Sequence, residues 1–422
     1  MVIKKDTLYK SIIGVLLLIP TLIKTIEVNI VLLSLIMLWV FYNYSFKYSR
    51  ALVNLILPLT VILLISIFSS FFHPSTLFDF IKDFFFIAKP IFYILIGYYM
   101  FSNIKDKEVL FKLIIYLGFF FAIIHIWKAI YFIYNNDGFN INQLRNYAGR
   151  GNVIEVFALV VLFSKNGKSL FQFNSKYKRV IRGVLVVSFI CYMSRNITVS
   201  TIILFMGING YLATTKKGLL YMFGFFLFIT LFYTYLFSID LKRGATGLEG
   251  FLYKVKIAPA EIFDSEINIE DHSDLWDHWR AYEAQKAFEQ IYDTPIFSGL
   301  FIGKGTGSLV DLEFVAPLNE EGMQYITVLH NGYSYITFKA GIIGLIMFLL
   351  FLLILYMQAY IKSSHDKIII INYFLSSIAI YYMFTTLIVS GAYNPRDFVG
   401  IIIGGLLAII NYHYKINKTL DA

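Results

Sequence analysis

Arg145, Arg150, Arg195, Arg280, His330 and Arg396 are the residues of this chain whose types and positions could do chemistry. Each lies beside or between apolar runs. Ionisable groups at membrane depth are costly, so each is a functional candidate by default. Five arginines on one face of a bilayer protein suggest an anionic ligand. A guanidinium binds phosphate through a planar, bidentate fork and stays charged. The plainer reading of each arginine taken singly is a headgroup-seeking side chain or a loop ion pair.

Arg195 is the sharpest case. It sits in Cys191-Tyr192-Met193-Ser194-Arg195-Asn196, between two apolar runs. The turn is too short to push the guanidinium far into water, and few acids are near in sequence. A buried arginine needs a partner, and a lipid diphosphate would supply one. His330 opens an apolar run in Leu329-His330-Asn331-Gly332-Tyr333. A histidine at a membrane rim can take a proton near neutral pH. The plainer alternative is a cap or a hydrogen-bonded rim residue. Nine residues after Asn331 comes Gly341-Ile342-Ile343-Gly344, whose glycines, one turn apart, allow close helix packing.

Three motifs mislead. Gly299-Leu300-Phe301-Ile302-Gly303-Lys304-Gly305-Thr306-Gly307-Ser308 resembles a phosphate loop, but its first gap is a residue short and Gly305 stands where Ser or Thr is required. A glycine turn through which backbone approaches a ligand stays open, with Gly303 and Gly305 as its contacts. Asn196-Ile197-Thr198 matches a glycosylation triplet but abuts a membrane segment. His272 and His278 stand near Asp271, Asp274 and Asp277, where a solvated acidic helix start is the better reading than a metal site.

The elements that must position these residues are apolar. Of 422 residues, 58% are hydrophobic, 18% aromatic and only 15% charged. A soluble domain is about 25% charged. This composition excludes a disordered chain, a collagen-like fibre and a disulfide scaffold, and it argues against a soluble enzyme. Cys191 is the sole cysteine, so no internal disulfide forms. A crossing helix needs about 20 mostly apolar residues. Twelve candidate segments appear, near 8–24, 28–45, 51–72, 84–102, 109–134, 151–164, 180–194, 196–214, 218–238, 331–359, 367–390 and 397–414; the sixth is short, and the seventh and eighth nearly touch at Ser194-Arg195-Asn196. The expected fold class is therefore all-α: one polytopic membrane domain over 1–422, its first segment a retained span and not a signal peptide.

Alternate short loops carry Lys4, Lys5, Lys10, Lys47, Arg50, Lys105, Lys107, Lys112, the basic cluster from Lys165 to Arg182, Lys216, Lys217, Lys362, Lys367, Lys415 and Lys418. With twelve spans these fall on one side, which places both termini in the cytoplasm. The net charge of +9 is then mostly topological, and no basic stripe for nucleic acid remains. Residues 239–330 form a long polar loop on the opposite, outer side. Loops this long are uncommon unless functional. Ser273 can cap a helix here. Leu275, Trp276, Trp279, Tyr282, Phe288 and Ile291 recur at helical spacing, and Pro295 and Gly299 end the run. The Trp-rich face suits the headgroup layer or the top of the bundle.

The His330-Asn331-(nine)-Gly341-x-x-Gly344 pattern resembles the signature of the O-antigen ligase and O-antigen polymerase superfamily. Ser194-Arg195, Trp279-Arg280 and Pro295-x-x-x-Gly299 with Gly303-x-Gly305-x-Gly307 agree with it in order and rough spacing. The likeness is firm over 190–350 and looser before it. It implies a metal-independent, cofactor-free, inverting glycosyltransferase with a GT-C-like membrane fold, in the bacterial cytoplasmic (inner) membrane. Such enzymes move glycan from a polyprenyl diphosphate carrier to an acceptor glycan lipid on the periplasmic face. By resemblance His330 is the general base, and Arg280 and Arg195 grip the diphosphate. Arg145 and Arg150 join them, and Asn331, Gly303 and Gly305 line the substrate site. Polymerase and ligase share these motifs. The long acidic loop and aromatic-rich chain favour the polymerase, for which a chain-length regulator is an open partner. The rival of another class is a polysaccharide flippase, since twelve spans also suit a two-half transporter.

Overall fold

The structure, a computed structural model, describes residues 5–420 apart from 24, 44–47, 137–140, 150, 173–174, 246, 264–266, 269–270 and 319–321. Arg150, Lys4 and Lys47 of the expected set lie outside the described residues, as does the side chain of His272.

The chain is predominantly helical. It runs α1 (Lys5–Leu22), α2 (Ile26–Asn43), α3 (Arg50–Ser69), α4 (Leu77–Asn103), α5 (Val109–Asn135), α6 (Ile141–Ala148), α7 (Asn152–Phe163), α8 (Ser175–Tyr192), α9 (Arg195–Ile208) and α10 (Lys216–Ser238). The polar segment then folds as α11 (Gly247–Lys256), α12 (Ala260–Phe263), α13 (His272–Asp277), α14 (Trp279–Tyr292), β1 (Val310–Ala316) and β2 (Met323–Ile326). Helices α15 (Gly332–Tyr356), α16 (Asp366–Val389) and α17 (Val399–Leu420) complete it.

All twelve apolar segments are helical. Among the described residues six helices are long and apolar enough to cross a membrane: Arg50–Ser69, Leu77–Asn103, Val109–Asn135, Lys216–Ser238, Gly332–Tyr360 and Asp366–Val389. Shorter apolar helices include Asn152–Phe163 and Arg195–Ile208. The protein is a helical membrane protein. Its apolar residues surround each helix because lipid, like the core, accepts them on every side.

Small residues let the helices close on one another. A Cβ on Gly97 of α4 would meet the Ile401 carbonyl oxygen at 2.3 Å, and one on Gly404 of α17 the Ile94 oxygen at 2.1 Å. A Cβ on Gly207 of α9 would overlap the Ser377 side chain on α16. Helix α10 stands apart, with only Gly218 and Leu236 buried.

The connections gather at two ends. At one, Lys105 N donates to Asp6, Gln172 N to Glu108, Asn166 to the Ile208 carbonyl and Thr214 N to Tyr360. At the other, His73 faces the Ser298 carbonyl, and Ser390 N donates to the His330 carbonyl at 2.7 Å.

The polar segment differs from expectation in two ways. The single helix expected after Ser273 breaks at His278 (φ −112°, ψ 17°) into α13 and α14. Strands β1 and β2 form an antiparallel hairpin that the all-α expectation lacked, with Val310 opposite Ile326 and an irregularity before Ala316. Its alternating burial at Val310, Leu312 and Ala316 is a period-two pattern hidden in a polar stretch. Trp279 and Tyr282 are buried and pack against Phe314 of β1.

Helix α15 is interrupted at Gly341 (φ 66°, ψ −167°). The carbonyls of Phe338 and Lys339, freed by this break, accept from Lys304 N (2.7 Å) and Gly305 N (3.1 Å) of the glycine turn. Thr306 N donates to the Ser66 carbonyl on α3, and Gly307 N to Asp83 on α4, which also pairs with Lys339. Irregular backbone inside a membrane bundle survives only when protein satisfies it. Gly341→Val places a branched side chain at positive φ, where a Cβ meets the Phe301 carbonyl at 2.1 Å. We expect a loss of about 3 kcal/mol, read as a lower unfolding midpoint in detergent. An unchanged midpoint would show that the break is dispensable.

Candidate functional site

Arg280 and Glu283 stand one turn apart on α14, so their side chains leave one helix face. Glu283 is buried, with its side chain 2% exposed. It accepts from the His330 backbone N at 2.9 Å, and both its oxygens lie 3.0 Å from His330 Nδ1. A proton on Nδ1 held this way leaves Nε2 with a bare lone pair. The imidazole is half exposed, and Nε2 makes no hydrogen bond among the described residues. Ser390, in the left-handed conformation after α16, clasps the start of α15 through the Leu329 and His330 carbonyls.

Arg280 reaches past α14 to the end of α16. Its Nε donates to the Ile388 carbonyl (3.1 Å), and its Nη1 pairs with Glu261 at 2.6 Å. Arg195 is the first residue of α9. The chain turns into it through Met193 at φ 42°, a backbone strained for that residue. Its guanidinium pairs with the same Glu261 oxygen and donates to the Lys254 carbonyl. Glu261 on α12 thus binds two guanidinium groups with a side chain 6% exposed.

Arg145 on α6 completes the group. Burial pulls its guanidinium below the usual arginine range, and the positive charges of Arg195 and Arg280 pull the same way while Glu261 opposes them. Among the described residues Arg145 has no ion pair or side-chain hydrogen bond. Burial also lowers Arg280, opposed by Glu261 and Glu283 and reinforced by Arg195. Three clustered guanidinium groups, of which one carboxylate pairs with two, are short of negative charge.

Beneath the cluster lies an apolar cavity of about 310 Å³. Arg195 and Glu261 line one part of it. Val199 and Ile202 of α9, Phe228 and Phe232 of α10, and Ile388 of α16 line the rest. A second cavity of about 240 Å³ lies on the other side of the α16 end, between Gly149, Asn152, Thr385, Asn394 and Arg396. Arg396 lines this second cavity and not the first.

The structure brings His330, Arg280, Arg195 and Arg145 to one end of the bundle. It also gives Asn331 and the two glycines structural work that the sequence did not reveal. Asn331 caps α15, its Oδ1 accepting from Tyr333 N (3.0 Å) and Ser334 N (3.3 Å). Gly303 and Gly305 face backbone, not open space: a Cβ on the first would meet Ala340 N at 2.6 Å and on the second Ser70 N at 2.4 Å. They let the turn seat between α3 and α15. His278 pairs with Asp274 one turn earlier, which uses it within its own helix start. Sequence reasoning missed Glu283 and Glu261. The three-residue spacing from Arg280 to Glu283 was a visible signal for the first; nothing local marked the second.

No family model and no curated protein sequence matches the chain, so its functional reading rests on the residues themselves.

Proposed function

We propose that this protein is an inverting membrane glycosyltransferase of the O-antigen polymerase and ligase kind. It transfers glycan from a polyprenyl diphosphate carrier to an acceptor glycan lipid at the outer face of a bacterial cytoplasmic membrane. One observation carries the reading. Arg195, one of three clustered arginines, lines an apolar cavity with its partner Glu261, and Glu283, one turn along α14 from Arg280, holds His330. The isoprenoid chain suits the cavity and the diphosphate suits the guanidinium groups.

The chemistry follows from these groups. His330 Nε2 takes the proton of the acceptor hydroxyl. The hydroxyl oxygen attacks the anomeric carbon, and the bond from that carbon to the phosphate oxygen breaks. The bonding electrons leave with the diphosphate, whose growing charge Arg280, Arg195 and Arg145 stabilise. A single displacement inverts the anomeric centre. The energy is stored in the donor, so no ATP is needed outside the cell.

We adopt the polymerase form, in which both donor and acceptor are carrier-linked repeat units. A ligase would use the same groups with a lipid A core as acceptor. The flippase reading is weaker, because the arginines and histidine collect at one end where alternating access wants a site near the midplane. The test is a cell lacking this protein. The polymerase reading expects single repeat units in place of long chains, rescued by the wild-type gene and not by the His330→Ala variant. Repeat units trapped on the cytoplasmic side would support a flippase.

The topology we propose has twelve spans, cytoplasmic termini and residues 239–330 outside. The lysine-bearing connections meet at the end opposite the arginine cluster, which supports it. Leu248 is exposed on α11. In a Cys191→Ser background, Leu248→Cys should be labelled in whole cells by a membrane-impermeant thiol reagent once the outer membrane is permeabilised. Labelling only after lysis of the inner membrane would invert the topology.

A further inference from the structure

The guanidinium cluster is already occupied by a carboxylate. Glu261 holds both Arg195 and Arg280 through one oxygen, and its side chain is 6% exposed. Each arginine completes its grip on a backbone carbonyl, Arg195 on Lys254 and Arg280 on Ile388. A phosphate that takes these groups in bidentate fashion must therefore replace Glu261. The carboxylate rides on α12, a helix of four residues, whose Ile262 also lines the apolar cavity with Ala258 and Val255. Helix α11 is tied independently: Lys254 Nζ pairs with Asp277 at 2.8 Å and Tyr253 donates to the same carboxylate at 3.2 Å. Displacing Glu261 would therefore move the stretch from Ala258 through α12, which packs on α14.

The setting gives this arrangement a purpose. The cavity is walled on one side by α10, of which only Gly218 and Leu236 are buried, so a lipid tail has a short path into it. A cationic site of this kind inside a bilayer meets anionic phospholipids in great excess. Their headgroups carry one negative charge, and a lipid diphosphate carries two or more. We propose that Glu261 is a specificity-determining residue: an internal competitor that keeps singly charged phospholipids out of the arginine cluster and yields only to a diphosphate. The inference rests on the diphosphate reading given above. A competitor tethered in the site imposes the same cost on every anion. A weak ligand then leaves the site empty even at membrane concentration, while a strong one still fills it. Without the carboxylate, Arg195, Arg280 and Arg145 would hold phospholipid headgroups, and the donor would have to displace them.

The test is farnesyl diphosphate binding to the purified full-length protein, in nanodiscs of phosphatidylcholine and of phosphatidylglycerol. Wild type should bind the probe within about twofold equally in both lipids. Glu261→Gln should bind it about tenfold more tightly in phosphatidylcholine and lose that gain in phosphatidylglycerol, because the competitor has been removed and lipid takes its place. Equal affinity of Glu261→Gln in the two lipids would overturn the proposal. A measurement on wild type alone guards against a misfolded variant. Farnesyl diphosphate, and not phosphatidylglycerol, should speed tryptic cleavage after Lys256 several-fold as α12 yields; unchanged or slower cleavage would overturn displacement. If wild type binds farnesyl diphosphate in neither lipid, it is the diphosphate reading itself that fails.

Discussion

His330→Ala should lower glycan transfer by about a thousandfold, within the usual range for removing a positioned general base. It should leave the unfolding midpoint nearly unchanged. The reason lies in how the ring is held. The imidazole is half exposed, so its removal opens no core cavity. The backbone N of His330 keeps its bond to Glu283, and the carbonyl keeps its bond to Ser390. The substitution therefore removes the proton acceptor and little else. Farnesyl diphosphate binding should persist, because the arginines are untouched. Glu283→Gln should cost about a hundredfold by the same logic, since an amide holds the ring in the wrong tautomer half the time or worse. Transfer measured with purified variants decides the point. A His330→Ala enzyme within tenfold of wild type would reduce the histidine to a rim residue.

Arg280→Lys should lower transfer by about a hundredfold, comparable to the loss of one charge-stabilising donor in other acyl- and group-transfer sites. Arg280 holds the Ile388 carbonyl at the α16 end through Nε and Glu261 through Nη1 at once. An ammonium is a point charge and cannot hold the Ile388 carbonyl and a phosphate oxygen in the same plane. The loss should appear in turnover and in donor affinity together, because on the proposed reading the contact to the diphosphate is made both before and during bond breaking. A variant with full activity would remove Arg280 from the diphosphate and leave Arg195 and Arg145 to carry it.

The helices were legible in the sequence because lipid imposes one simple demand, a run of apolar residues long enough to cross it. That demand marks all twelve segments. The shortness of Asn152–Phe163 shows in the sequence as well; that Arg195–Ile208 folds as a helix shorter than a full crossing does not. The charged residues of the site were legible for the opposite reason: Arg195 and His330 interrupt apolar runs where a charge is costly. Their partners were not legible. Glu261 is one of many acids in the polar segment, and it is 66 positions from Arg195. Only the fold selects it. The structural roles of Asn331, Gly303 and Gly305 were hidden for a related reason. Sequence shows that a residue type is special without showing whether a ligand or the protein's own backbone meets it. Asn331 meets the first turn of α15 and the glycines meet α3 and α15.

The central claim is that the histidine and the arginines act on one bond, between a sugar and a lipid diphosphate. The direct measurement is transfer by purified protein in nanodiscs, supplied only with polyprenyl diphosphate-linked repeat units. Each new glycosidic linkage should appear with one molecule of free polyprenyl diphosphate and with inverted anomeric configuration, and both products should vanish together in the His330→Ala and Arg280→Ala variants. Linkages formed with retained configuration, or carrier released at the same rate by the two variants as by wild type, would contradict the account.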